Sequence, residues 1–261
     1  MTLKRCSHSP TCSGEIVPFQ WNFTAFTLML IATLRKAPVS DNVALATGGL
    51  PCANASHGLW LEFGVYQGKT IQIMANYRRN HVLFRPAVYG FDSFLGLPED
   101  WRHVWRPLRG NTLRKAASMS RGAFATAGKP PKLPAHLEPL VGWEVGWYNE
   151  SLPRFLLSHD HEPVTLLHID CDLYTSTKTV FNFLAAQLHS GSVLVFDELF
   201  NFPEYQAHEV RALWEFLRDN DYDVEVLATS THDISFEPRT ESFKQSCALR
   251  LMSRGCPHEL E

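Results

Sequence analysis

Four short apolar runs in this chain end on carboxylates: Glu62 in LWLEFGV, Asp92 in PAVYGFD, Asp170 in VTLLHID, and the pair Asp197 and Glu198 in SVLVFDE. If the runs are parallel strands, these groups share the sheet edge at which open α/β folds bind ligands. Like charges gathered there are costly unless protons or a cation offset them. The trio Asp170, Asp197 and Glu198 therefore reads as an all-oxygen site for a hard divalent cation, Mg²⁺ first. Such an ion lowers the pKa of a bound hydroxyl, and Asp170 is the candidate general base. Asp172, just before LYTSTKT, reads instead as a helix cap. His168 shares the side of Asp170 by strand alternation and reads as a half-buried histidine, while His208 and Glu209 face the substrate or open a helix.

The stretch LEFGVYQGKT has Gly64 and Gly68, which let backbone turn tightly and approach a ligand. The dinucleotide fingerprint G-x-G-x-x-G is absent, because Tyr66 stands where its second glycine belongs. A pyrophosphate needs that glycine, which disfavours a nicotinamide-dependent oxidoreductase. A nucleoside ligand without phosphate, such as S-adenosylmethionine, demands less of the turn. Asp92 suits its two ribose hydroxyls, since one carboxylate accepts two hydrogen bonds at once; its alternative role is to cap the turn in FDSF.

The elements that must hold these groups follow from periodicity. Apolar runs alternate with helical patterns from residue 59 onward, which predicts a parallel α/β sheet of about seven strands. The expected strands lie at 59–65, 86–92, 137–143, 164–170, 192–198, 222–229 and 246–252, with helices over 68–79, 173–188 and 208–219. Residues 1–55 have no strand pattern and are expected to form a helical extension, leaving 56–261 as the main domain. Their apolar stretch 23–34 is too short and too polar for a membrane span.

Charge sharpens this picture. The net charge of −3 gives no general reason to bind nucleic acid or an anionic membrane. The six cysteines are scattered, as in a reduced cytoplasmic protein. Between residues 101 and 137, however, the chain carries +8 and no acid, against −11 elsewhere. This basic insertion reads either as a solvated loop or as a lid that attracts an anionic substrate. Trp101, Trp105, Trp143 and Trp147 lie near the expected mouth, where they stack on a sugar or phenolic ring or pack in the core.

Five motifs in order, LEFGVYQGKTI, YGFDSFLGLPEDW, VGWYNESLPRF, LLHIDCDLYTSTKTV and VLVFDELFNFPEYQAHEVRA, resemble the macrocin O-methyltransferase family of class I S-adenosylmethionine-dependent methyltransferases over about residues 58–252. The resemblance implies a Rossmann-like fold, with seven mostly parallel strands, one antiparallel strand near the end and helices on both faces. It also implies metal-dependent methyl transfer to a small-molecule hydroxyl. Glu62, Gly64, Tyr66 and Gly68 would then meet the methionine part of the cofactor, Asp92 the ribose, and Ser93 the adenosine. Asp170, Asp197 and Glu198 would ligate the metal, with Glu198 where relatives often have aspartate, and Ser151 takes the place of a family threonine. The rival readings are a catalytically silent S-adenosylmethionine-binding protein and the oxidoreductase; a homo-oligomer is compatible with either.

Overall fold

The computed structural model describes residues 58–81, 88–101, 103–108, 112–200, 202, 204–229 and 245–253, with no side-chain placement at 81, 103–108 or 112–118. The expected N-terminal helical extension and the apolar stretch 23–34 lie outside the described residues.

The main sheet has seven strands: β1 (Leu59–Phe63), β2 (Val88–Asp92), β5 (Val141–Val145), β6 (Val164–Ile169), β7 (Val193–Phe196), β8 (Tyr222–Thr229) and β9 (Cys247–Ser253). Their spatial order is β5-β2-β1-β6-β7-β9-β8. The first five pair in parallel, and β9 runs antiparallel to both neighbours. This is the expected mostly parallel sheet with one antiparallel strand; the strand order reverses between β1 and β6, and the ligand edge of such a sheet opens where those two strands end.

Among the described residues four helices cover the sheet: α1 (Lys69–His81), α2 (Tyr148–His159), α3 (Tyr174–Leu184) and α4 (Glu209–Asp219). Alternation along the strands sorts the core into two layers. Leu61, Phe63, Leu167 and Ile169 pack with Leu152, Phe155, Phe181 and Phe216 of α2, α3 and α4. Trp60, Leu166, Val193 and Val195 pack with Ile71, Met74 and Ala75 of α1. Both faces of the central strands are buried, which explains why they read as continuous apolar runs.

Two elements differ from the pattern reading. The strand expected at 137–143 begins only at Val141, because Pro139 and Glu138 belong to a single 3-10 turn, Glu138–Leu140; proline has no N–H to give to a ladder. The helix α2 carries Pro153 inside it, which hides it from apolar periodicity. The basic insertion has structure of its own, an antiparallel hairpin of β3 (His103–Leu108) and β4 (Thr112–Ser118). A Trp101 N–H to Met119 O bond of 2.8 Å closes the hairpin at its base.

Candidate active site

Backbone bonds between the ends of the parallel strands set the floor of the site. Gly64 N–H donates to Phe91 O, Asp170 N–H to Phe63 O, and Asp197 N–H to Ile169 O, at 2.9–3.1 Å. The three predicted strand-end loops therefore stay in register beyond the strands.

Gly64 lies so close to the β6 loop that a Cβ there would sit 1.8 Å from Asp170 O, and its φ is +89°. Both facts require glycine. Gly68, at φ +73°, lies under Pro131, whose Cγ would be 2.6 Å from an added Cβ. Between them Tyr66, at the position of the missing fingerprint glycine, takes a left-handed φ of 48°. The backbone form expected of a glycine is thus kept without one, and the 40% exposed Tyr66 ring packs edge-on against Phe124 at 5.5 Å. Pro131 and Phe124 bring the second half of the basic insertion against this turn. It is held there by Leu97 N–H to Ala123 O, Thr126 N–H to Phe94 O and Gly128 N–H to Phe94 O.

Asp92 organises the turn. Its Oδ2 accepts the N–H groups of Val65 and Tyr66 at 2.9 Å, and its Oδ1 that of Phe94 at 2.7 Å. Both sequence readings of Asp92 meet here: it caps FDSF, and one lone pair of roughly four is left for a ligand hydroxyl. Ser93 is buried and its Oγ accepts the N–H of Leu95, so it shapes the same turn. Ser151 is also buried, and its Oγ donates to Trp147 O at the N-cap of α2.

Glu62 is 1% exposed, and its Oε1 lies 3.8 Å from His168 Nδ1. Burial pushes its carboxyl well above the usual range, and Asp92 and Asp197 push the same way. Burial also lowers His168 to about 3. Burial thus disfavours charge on both members of the pair. Among the described residues Glu62 Oε2 has no hydrogen-bond partner.

The acids of the second constellation converge, with one exchange. Ligand oxygens of Asp170, Asp172 and Glu198 lie within 4.8 Å of one another, whereas Asp197 stands outside this group. Its charge nevertheless acts on Asp170, ahead of those of Glu198 and Asp172, and on Glu62. Asp172 was expected to cap a helix and does not: the N-cap of α3 is Leu173, without a side-chain cap bond. A left-handed φ of 64° at Asp172 turns it into the acid group. Burial raises Asp170 well above the usual carboxylate range, and Asp197, Glu198, Asp172 and Glu209 add to the effect in that order.

Glu209 is the residue that the sequence reading undervalued. It opens α4, is 1% exposed, and its Oε1 accepts the N–H groups of Cys171 and Asp172 at 3.1 Å each. The signal was present in the sequence: Glu209, Ala212, Leu213 and Phe216 form one buried stripe at helical spacing, and an acid on that stripe needs partners. His208 is half-buried at the N-cap, 6.0 Å from the Phe202 ring. Of the tryptophans, Trp101 packs with Leu97 and Leu173, and Trp143 with the α1 layer. Trp147 is the half-buried N-cap of α2, and the side chain of Trp105 lies outside the described residues. Among the described residues no helix is long and apolar enough to cross a membrane.

Comparison with known proteins agrees with this geometry. A family model described as Macrocin-O-methyltransferase (TylF) matches residues 51–224. Among solved structures, CalS11, a calicheamicin methyltransferase, aligns over 87% of this chain and 79% of its own at 22% identity, with a TM-score of 0.53. The O-methyltransferase NovP aligns over 90% of this chain and 100% of its own at 16% identity, with a TM-score of 0.52. At these identities the two likenesses show the fold. No curated protein sequence matches the chain.

Proposed function

Because the chain belongs to the macrocin-O-methyltransferase family and is thus an S-adenosylmethionine-dependent O-methyltransferase, we propose that its acceptor is a hydroxyl of a sugar or natural-product-type small molecule, and that a hard divalent cation, Mg²⁺ first, serves the transfer. The observation that carries the metal half is the convergence of Asp170, Asp172 and Glu198 oxygens within 4.8 Å, beside the turn built on Gly64. An all-oxygen donor set fits such an ion, and the raised Asp170 marks a place where positive charge is wanted.

Asp170, Asp172 and Glu198 would hold the cation, which supplies Lewis-acid polarisation that makes a hydroxyl easier to deprotonate. Asp197 adds its charge to the same field. The cofactor supplies an electrophilic methyl group on a sulfonium. The chain's own residues do the rest. The 64–68 turn and Glu62 would hold the methionine end, Asp92, which orders that turn, would offer its remaining lone pair to the ribose, and Ser93 would meet the adenosine. Asp170 would accept the hydroxyl proton as general base. The cofactor would supply its methyl group to that oxygen, the carbon–sulfur bond breaking to leave a methyl ether and S-adenosylhomocysteine. Positioning of the two reactants is the largest contribution.

The eight basic residues of 101–137 support an acceptor that itself carries negative charge. Neutralising Arg106, Arg109 and Arg114 would then raise its KM in a salt-sensitive way. The test of the main reading is S-adenosylhomocysteine release with a panel of sugar and phenolic hydroxyls, after EDTA and again after added Mg²⁺. Turnover that EDTA abolishes and Mg²⁺ restores is expected. Cofactor binding without turnover on any hydroxyl would favour the silent binding protein, and NADH displacing S-adenosylmethionine would favour the oxidoreductase.

A further inference from the structure

We infer that Glu209 is a positioning residue, which fixes the acid turn of the β6 loop from the helix that follows the β7 loop. The inference rests on the metal reading above only for its functional consequence.

Three facts meet at one peptide. Asp172 has a left-handed φ of 64°, a form that non-glycine residues hold only when surroundings impose it. The next turn is tight, with Leu173 N–H donating to Cys171 O at 2.6 Å. The two N–H groups exposed by that turn, of Cys171 and Asp172, both point to Glu209 Oε1 at 3.1 Å across 38 and 37 residues of sequence. No capping side chain at the N-terminus of α3 does this work. The fixed turn is also what carries the carboxylate of Asp172 to those of Asp170 and Glu198.

Glu209 accepts from backbone N–H groups of the β6 loop, and it starts α4, eleven residues after Glu198. It therefore ties together the two loops that carry the acids. What it supplies is an acceptor oxygen at a fixed reach, since its other oxygen has no hydrogen-bond partner among the described residues. A carboxamide of the same length can provide that oxygen, while a shorter carboxylate cannot. Reach and charge make opposite predictions.

The test compares Glu209→Gln, Glu209→Asp and Glu209→Met in the full chain, with thermal unfolding as the folding control. Hydrogen exchange of the Cys171 and Asp172 amides is measured without metal, and Mn²⁺ affinity by calorimetry. In Glu209→Asp and Glu209→Met both amides are expected to exchange faster and Mn²⁺ to bind about 10- to 100-fold more weakly, with S-adenosylmethionine affinity within about threefold. Glu209→Gln is expected to stay near wild type in both readouts. Wild-type protection in Glu209→Asp, or loss of protection in Glu209→Gln, overturns the inference. If Glu209→Met does not fold, the Gln and Asp variants still decide it. Absence of Mn²⁺ binding by the wild type would overturn the metal reading, and the exchange data would still judge Glu209 alone.

Discussion

Gly64 and Asp170 meet backbone to backbone: there is no room for even a methyl group between the first strand's turn and the carbonyl of the acid that heads the second constellation. The cofactor turn and the acid loop are consequently one structural unit. Gly64→Ala is expected to lower stability by about 3 kcal/mol, from the collision and the left-handed backbone together. It should also weaken S-adenosylmethionine binding and turnover at once. Urea unfolding and calorimetry check this, and a variant that lost only turnover would show the two loops to be separable.

Asp92 holds its turn through three N–H groups. Asp92→Ala leaves them without their acceptor and is expected to cost about 2 kcal/mol of stability, along with at least about tenfold in cofactor affinity. Asp92→Asn keeps one acceptor oxygen and should fall between. Equal stability of the three proteins in urea would contradict the hydrogen-bond account.

Asp170→Asn, Asp172→Asn and Glu198→Gln are each expected to reduce turnover by at least about 100-fold while leaving cofactor affinity within threefold. Asp197→Asn is the informative comparison. Since Asp197 stands outside the converging group, its loss should reduce Mg²⁺ affinity less than loss of Asp172 does. The reverse order in a Mg²⁺ titration would restore the trio read from sequence.

His168 gives a pH prediction. Its pKa is lowered by burial from the ordinary 6.5 to about 3, so it stays neutral in the fold while the unfolded chain takes up a proton. Its contribution is fully present above pH 6.5 and is lost as pH falls toward 3. The slope approaches about 1.4 kcal/mol per pH unit. Glu62 beside it has a raised pKa and works oppositely, its contribution being present at low pH and lost as pH rises. Glu62 is common to both proteins, so comparing wild type with His168→Gln isolates the histidine. The variant should lose less stability between pH 6.5 and pH 4 in urea unfolding; parallel curves would mean that the histidine is charged in the fold.

The sequence carried the sheet well, because strands buried on both faces leave long apolar runs and the helices between them keep their period. Pro153 hid one helix, and Pro139 displaced one strand start. The site was legible at its strand ends, where alternation and chain order place Glu62, Asp92, Asp170 and Glu198. What stayed hidden depends on backbone torsion at single residues. Nothing in the letters DCD announces that Asp172 turns left-handed into the acid group, or that Tyr66 adopts the form of the missing glycine. Glu209 was hidden differently: its helical stripe is visible, but its partners lie 37 and 38 residues away.

The ends of the basic hairpin are joined by a hydrogen bond between Trp101 and Met119, and Trp101 itself is buried against Leu97 and Leu173. The strands β3 and β4 between those two residues form a sheet of their own, apart from the seven-stranded one, closed by that bond. That segment pairs only within its own two-stranded sheet. Elements hung from a scaffold at one closed point are where length and charge can vary while the sheet is kept.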